Sequence, residues 1–108
     1  MLPKKNRADR KSIERIFKSG QFLNSLHLTF KFIFNNASIP QISFIAPKNI
    51  AKNAVDRNFL RRMGYLALKK HLNQFPINIL GVFIFKKYQA EIIILEQEIE
   101  EILKKIKK

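Results

Sequence analysis

The chain has 108 residues, which predicts one domain over residues 1–108 and is too short for two. Hydrophobic residues make up 46% of it, enough for a core, and the absence of Cys excludes disulfides, thiolate metal sites and Cys nucleophiles. No apolar run approaches the ~18 residues of a membrane span, and the charged N-terminal segment lacks the apolar core of a signal peptide. We therefore expect a cytoplasmic protein.

Positive charge is the dominant feature of the composition. Lys and Arg number 21 against 8 Asp and Glu, which gives a net charge of +13. Residues 91–108 have a net charge of −1, so residues 1–90 carry +14, with Asp9, Glu14 and Asp56 as their only acids. A codon bias toward Lys, Ile and Asn would also favour acidic residues, so it does not explain their depletion. A polyanionic partner does, and we favour nucleic acid over an anionic membrane surface.

The first half of the chain predicts a helix followed by two strands. Residues 9–20 form the helix, because apolar side chains recur at i, i+3 and i+4 before Gly20. The apolar residues of this pattern are Ile13, Ile16 and Phe17. Residues 26–34 alternate apolar and polar side chains, which is typical of a half-buried strand. A turn separates it from a second strand at 41–47, so the two are predicted to pair as a hairpin, and a basic loop follows at 48–53.

The second half predicts helix, strand and helix. A long helix runs from residue 54 to about residue 73, and the continuous apolar run at 77–85 predicts an inner strand. Residues 91–108 predict a structural helix with an apolar stripe at residues 92, 95, 99, 102, 103 and 106. Its early Glu and late Lys suit the helix dipole. Its i,i+4 pairs are Glu100–Lys104 and Glu101–Lys105. The order helix-strand(s)-helix-strand-helix predicts an α+β fold, a small sandwich of helices on one mainly antiparallel sheet.

The long helix separates apolar from basic side chains when each residue advances by about 100°. The predicted core arc contains Val55, Phe59, Leu60, Met63, Leu66 and Ala67. The opposite arc contains the basic group Arg57, Asn58, Arg61 and Arg62, with Tyr65 among them. Basic residues on a helix usually form only a solvated face. Here Arg replaces Lys in a Lys-rich chain and acids are scarce, so the pattern favours a face that grips phosphates.

The segment "KNIAKNAVDRNFLRRMG", residues 48–64, resembles the signature of the bacterial ribonuclease P protein component. Ala54, Val55 and the pair Arg57-Asn58 match it, and Arg61-Arg62 fit its basic pair. Phe59 stands where the family usually has a second Arg. The first helix and the strand "ISFIAPK" also resemble their counterparts in the family, so the likeness covers essentially the whole chain.

The resemblance implies the ribosomal protein S5 domain 2-like fold and a role as the protein subunit of ribonuclease P. Such a subunit binds ribonuclease P RNA and precursor tRNA and promotes endonucleolytic removal of the 5′ leader. Catalysis belongs to the RNA, so we expect no catalytic residue and no metal or other cofactor bound by the protein alone. Mg²⁺ would act through the RNA partner. Neither a membrane nor a small-molecule substrate is expected.

The resemblance also assigns two sets of contact residues. The residues that would grip the catalytic RNA are Lys48, Lys52, Arg57, Asn58, Arg61 and Arg62. A cleft between the first helix and the sheet would hold the single-stranded leader, with Ile13 and Phe17 on the helix side. On the sheet, the polar side of the alternating strand offers Thr29 and Lys31 for the same role. Phe17 matches a family aromatic, whereas Ile13 stands where a second aromatic is common. Phe59, Tyr65 and Leu66 depart from the family pattern; we expect Phe59 in the core, and Gly64 is a candidate for close approach to RNA.

Two other functions fit the sequence less well. A ribosomal protein or a general RNA- or DNA-binding protein could use the same basic helix without a role in cleavage. An autonomous nuclease would need clustered carboxylates, whereas Asp9, Glu14 and Asp56 are scattered and the Glu residues of the last helix suit solvation. His27 and His71 are too few to predict a His-based site, and we expect each to be a surface or cap residue.

Overall fold

The computed structural model describes residue 8, residues 10–36 and residues 38–106. Its helices are α1 (Arg10–Ser19), α2 (Ala54–Lys69) and α3 (Ile92–Ile106), with a short 3-10 turn at Leu72–Gln74. Its strands are β1 (Gln21–Asn24), β2 (Leu28–Phe34), β3 (Gln41–Ile45) and β4 (Ile79–Phe85). Asp9 and the last two residues of the predicted C-terminal helix lie outside the described residues.

The four strands form one sheet in the order β1-β2-β4-β3. The pairs β1–β2 and β2–β4 are antiparallel, and β3–β4 is parallel. This confirms the mainly antiparallel sheet and the inner position of β4, which is buried along almost its whole length. The predicted hairpin of β2 and β3 is wrong, because β4 inserts between them and forms both ladders.

Helices cover both faces of the sheet. Alternation along β2 is as predicted: Leu28, Phe30 and Phe32 are buried against the side that carries α2 and α3, and Thr29 and Lys31 face the other side. On that other side α1 buries Ile16 against Leu80 and Val82 of β4. Gly20 follows the last residue of α1, and its Cα lies close to the end of the helix. A Cβ at this position would lie 2.4 Å from the Ile16 carbonyl oxygen. This close approach requires glycine.

The buried face of α2 differs from the predicted core arc. Its buried residues are Leu60, Gly64, Tyr65, Ala67 and Leu68. Val55 is 77% exposed and Phe59 is 40% exposed, and Leu66 is exposed as well, so these three are not core residues.

Two contacts with β3 explain this rotation of α2. A Cβ on Gly64 would lie 2.6 Å from the Phe44 ring, so this glycine allows α2 to approach the sheet rather than RNA. The Tyr65 hydroxyl accepts a hydrogen bond from the backbone N–H of Phe44 at 3.2 Å, which satisfies a donor on the edge strand β3. Tyr65 therefore lies in the core, although the pattern placed it on the basic side.

Helix α3 packs through its predicted apolar stripe, of which Leu95, Ile99, Ile102 and Leu103 are buried. The Glu101–Lys105 pair forms at 4.0 Å, whereas Glu100 lies 3.7 Å from the His71 side chain. His71 is buried, which corrects the expected surface position, although it does precede the 3-10 turn as its cap residue. No described helix is both long and apolar enough to cross a membrane.

Candidate nucleic-acid interface

The six residues assigned to the catalytic RNA lie together on the loop between β3 and α2 and on the first turns of α2. We call this set the loop–α2 surface: Lys48, Lys52, Arg57, Asn58, Arg61 and Arg62. The loop is folded back by backbone hydrogen bonds from Ile50 and Ala51 to the Pro47 carbonyl, at 3.0 and 3.2 Å. Both of its lysines are exposed. The loop thus presents two amines beside the start of the helix.

Intramolecular hydrogen bonds fix two of the arginines. The Arg57 guanidinium donates to the Ala51 and Lys52 carbonyls at 3.1 and 2.7 Å, so this half-buried side chain fastens the loop to α2. Arg61 donates to the Asn58 side-chain oxygen. Arg62 is exposed toward solvent. The prediction that these residues share one face holds, but Arg57 and Arg61 border the core and only Asn58 and Arg62 are fully exposed.

No carboxylate neutralises this surface among the residues that the structure describes. The ion pairs among the described residues have His27, Lys70, His71 and Lys105 as their basic partners. None of these four residues belongs to the loop–α2 surface. The nearest acid in sequence, Asp56, lies in the first turn of α2. A group of unpaired cations, two of them held in place, can contact several phosphates with little loss of side-chain freedom on binding.

The four residues assigned to the leader lie on the opposite side of the sheet, around α1. Phe17 is 46% exposed, and the Lys31 Nζ lies 4.9 Å from the centre of its ring. Ile13 is half-buried on the same helix. The Thr29 hydroxyl donates to the Asn24 side-chain oxygen at 2.7 Å. The structure therefore brings Phe17 and Lys31 into direct contact and places Thr29 two residues along the same strand.

Two features of this region were not predicted from the sequence. Strand β1 carries Phe22, which is 61% exposed; a strand of four residues has too short a pattern to be recognised. The second feature is a polar network around Glu98, a residue that was expected to be solvated but is buried. The sequence feature that could have indicated this network is the position of Glu98 at the edge of the apolar stripe of α3.

Glu98 joins α3 to the connection between β1 and β2. Its carboxylate accepts hydrogen bonds from the Ser25 hydroxyl at 2.5 Å and the His27 backbone N–H at 2.7 Å, and its other oxygen lies 2.6 Å from His27 Nδ1. Burial alone would raise the pKa of Glu98, but these hydrogen bonds and the charge of His27 outweigh it and hold that pKa below 4.5. The network fixes the connection between β1 and β2, and β2 is the strand that carries Thr29 and Lys31.

No group of three or more His, Asp or Glu side chains that could hold a metal ion occurs within residues 8, 10–36 and 38–106.

Comparisons with known proteins agree on one family. The sequence model described as Ribonuclease P matches residues 2–107. The structure resembles the RNase P protein from Thermotoga maritima, with a TM-score of 0.80, 19% identity and coverage of 92% of this chain and 96% of that one. It also resembles the Staphylococcus aureus RNase P protein, with a TM-score of 0.77, 19% identity and 92% coverage of each chain. A mutant of the S. aureus protein with defective mRNA degradation activity gives a TM-score of 0.81 at 19% identity, over 96% of this chain and 90% of that one. The search among curated proteins finds no match.

The chain belongs to the ribonuclease P family, since the family match spans nearly all of it. It has the fold of the bacterial RNase P proteins. As a member of this family it is the protein subunit of a ribonucleoprotein enzyme and serves in removal of the 5′ leader from precursor tRNA.

Proposed function

We propose that the protein holds two RNA segments at once, one on each side of its sheet. The loop–α2 surface binds ribonuclease P RNA, and the cleft between α1 and the sheet binds the 5′ leader of precursor tRNA. The observation that carries this proposal is the separation of the two surfaces: α2 packs against the face that contains Phe30, and α1 packs against the face that contains Val82.

The loop–α2 surface suits a folded RNA. Its guanidinium groups can form paired hydrogen bonds to phosphate oxygens, and the Asn58 amide can reach sugar or base edges. Because Arg57 is anchored to the loop carbonyls, the loop and the helix present their charges as one rigid unit.

The α1 side suits a single strand. An exposed ring beside an amine lets a base stack while its phosphate meets the positive charge. Phe17 and Lys31 have this arrangement, with the amine already over the ring.

The protein contributes binding and positioning, and the chemistry lies with the RNA and its Mg²⁺. The acids of the first ninety residues are single and scattered along the sequence, which disfavours a two-metal mechanism carried by the protein itself. The site of action is the cytoplasm, where precursor tRNA is processed.

The test separates the two surfaces by mutation. Arg62→Ala should weaken binding to ribonuclease P RNA and reduce the salt dependence by about 0.9 in log–log slope, because one phosphate contact is lost. Phe17→Ala should leave that binding intact but weaken binding of precursor tRNA by about 1–3 kcal/mol and of mature tRNA not at all. Lys104→Ala on α3, also exposed, is the matched control. The proposal fails if Arg62→Ala behaves like this control, or if Phe17→Ala affects both tRNAs equally.

A further inference from the structure

Phe22 lies on the edge strand β1, directly opposite Lys31 of β2 in the antiparallel register. Residues opposite each other in such a pair point to the same face of the sheet, with their Cβ atoms about 5 Å apart. Phe22 therefore shares the face of the sheet on which α1 lies. It is 61% exposed, so its ring adds little to the core.

Lys31 consequently has an aromatic neighbour on each of two elements, α1 and β1. On one side its Nζ is 4.9 Å from the centre of the Phe17 ring, which α1 supplies. On the other side its cross-strand neighbour is Phe22, which the sheet edge supplies. These three residues follow one another from α1 to the edge of the sheet, and we call them the row of Phe17, Lys31 and Phe22.

We propose that Phe22 is a second stacking platform for the leader, which takes an unpaired base on the side of Lys31 away from Phe17. Phe17 stacks one base, Phe22 stacks another, and the ammonium of Lys31 meets the phosphate of the strand that joins them. This inference rests on the proposed leader-binding function and adds to it a residue that the family motif does not assign.

The charge around these three residues favours a single nucleic-acid strand as their ligand. Strands β1, β2 and β4 contain no Asp or Glu. Beyond Phe22 on the same face, Lys86 donates to the Asn24 side-chain oxygen at 3.4 Å, the oxygen that also accepts from Thr29. The path along β1 therefore continues with an amine and with amide and hydroxyl groups, which suit phosphates and base edges.

The experiment measures binding of reconstituted ribonuclease P to precursor tRNAs whose leaders lengthen one nucleotide at a time. Phe17→Ala should lower affinity from the leader length that first reaches its ring. Phe22→Ala should lower affinity roughly five-fold or more, but only for leaders at least one nucleotide longer. Phe22→Leu should lose as much, because it keeps apolar area and removes the ring. Phe34→Ala is the matched control, since Phe34 is 48% exposed and belongs to the opposite face.

The outcomes separate this inference from the function on which it rests. If Phe17→Ala shows a leader-dependent loss and both Phe22 variants bind like the parent, the second platform is overturned and the leader site stands. If neither position responds to leader length, the leader site itself fails. An equal loss for mature tRNA with Phe22→Leu, or a lowered melting temperature with unchanged leader dependence, would make Phe22 a structural residue and overturn the inference.

Discussion

Phe59 is the residue at which this chain departs most clearly from the family motif, and it is 40% exposed on α2 beside Asn58 and Arg62. Its exposure places it at the loop–α2 surface, where other members of the family carry a cation. The sequence favoured a core position because Phe59 continues the apolar arc of the helix. The structure instead uses Leu60, the next residue, to reach the core.

Phe59→Arg should therefore add a cation to the proposed RNA contact. In a plot of the logarithm of the binding constant for ribonuclease P RNA against the logarithm of the salt concentration, we expect the slope to become steeper by about 0.9. Phe59→Ala should cost about 1 kcal/mol of stability or less, whereas Leu60→Ala should cost about 2–5 kcal/mol. Salt titrations of RNA binding and urea unfolding measure the two effects. An unchanged slope for Phe59→Arg, together with equal destabilisation by the two Ala variants, would show that Phe59 is a core residue and would contradict this prediction.

Arg57 combines two roles that the sequence pattern does not separate. Its guanidinium holds the Ala51 and Lys52 carbonyls, so truncation would loosen the loop as well as remove a phosphate contact. Arg62 has no such intramolecular role and is the clearer probe of RNA binding.

At the scale of the elements, the sequence predicted burial correctly where the pattern involves only residues of one element. The alternation of β2, the apolar run of β4 and the stripe of α3 each depend on neighbours within one element, and each predicted its burial correctly. The pairing of β2 with β3 was wrong because proximity in sequence favours a hairpin. The choice of β4 as the partner of both strands depends on contacts between distant residues, which no local pattern contains.

The rotation of α2 was also beyond the sequence pattern. The apolar pattern of the helix places Tyr65 on the polar side and gives no weight to Gly64. In the structure the Tyr65 hydroxyl accepts a hydrogen bond from Phe44 of β3, and Gly64 leaves room for the Phe44 ring. The pattern did place the Arg and Asn side chains along one side of the helix, because that depends only on their spacing within α2. Which of them face solvent was set by the packing of α2 on the sheet.

The link between α3 and the β1–β2 connection predicts a specific pH dependence. Because the folded-state pKa of Glu98 lies below its ordinary value of 4.5, the network contributes its full stability above that value. The contribution is lost as the pH falls from there through the folded pKa. Glu98→Gln removes the charge and should cost about 1–3 kcal/mol near neutral pH.

Urea unfolding at about pH 7 and about pH 3 measures this effect. The difference in stability between the parent and Glu98→Gln should shrink in acid. Glu101→Gln, which alters only the exposed Lys105 pair, should show little difference at either pH. A difference between parent and Glu98→Gln that stays constant with pH would show that the charge of Glu98 does not stabilise the fold.

At the scale of the whole molecule, the sheet separates the two surfaces that we propose as RNA contacts. Its α2 side carries the loop–α2 surface, and its α1 side carries the row of Phe17, Lys31 and Phe22. A net charge of +13 favours binding of RNA in general. In the function that we propose, the rings on one side and the anchored guanidiniums on the other select the partner of each side.

The most direct test of this account is cleavage of precursor tRNA at low Mg²⁺ by ribonuclease P RNA, by the protein, and by both together. We predict cleavage at the mature 5′ end only when both are present, with stimulation reduced by Arg62→Ala through weaker assembly and by Phe17→Ala through weaker substrate binding. Cleavage by the protein alone, or tight RNA binding without any stimulation, would contradict the account.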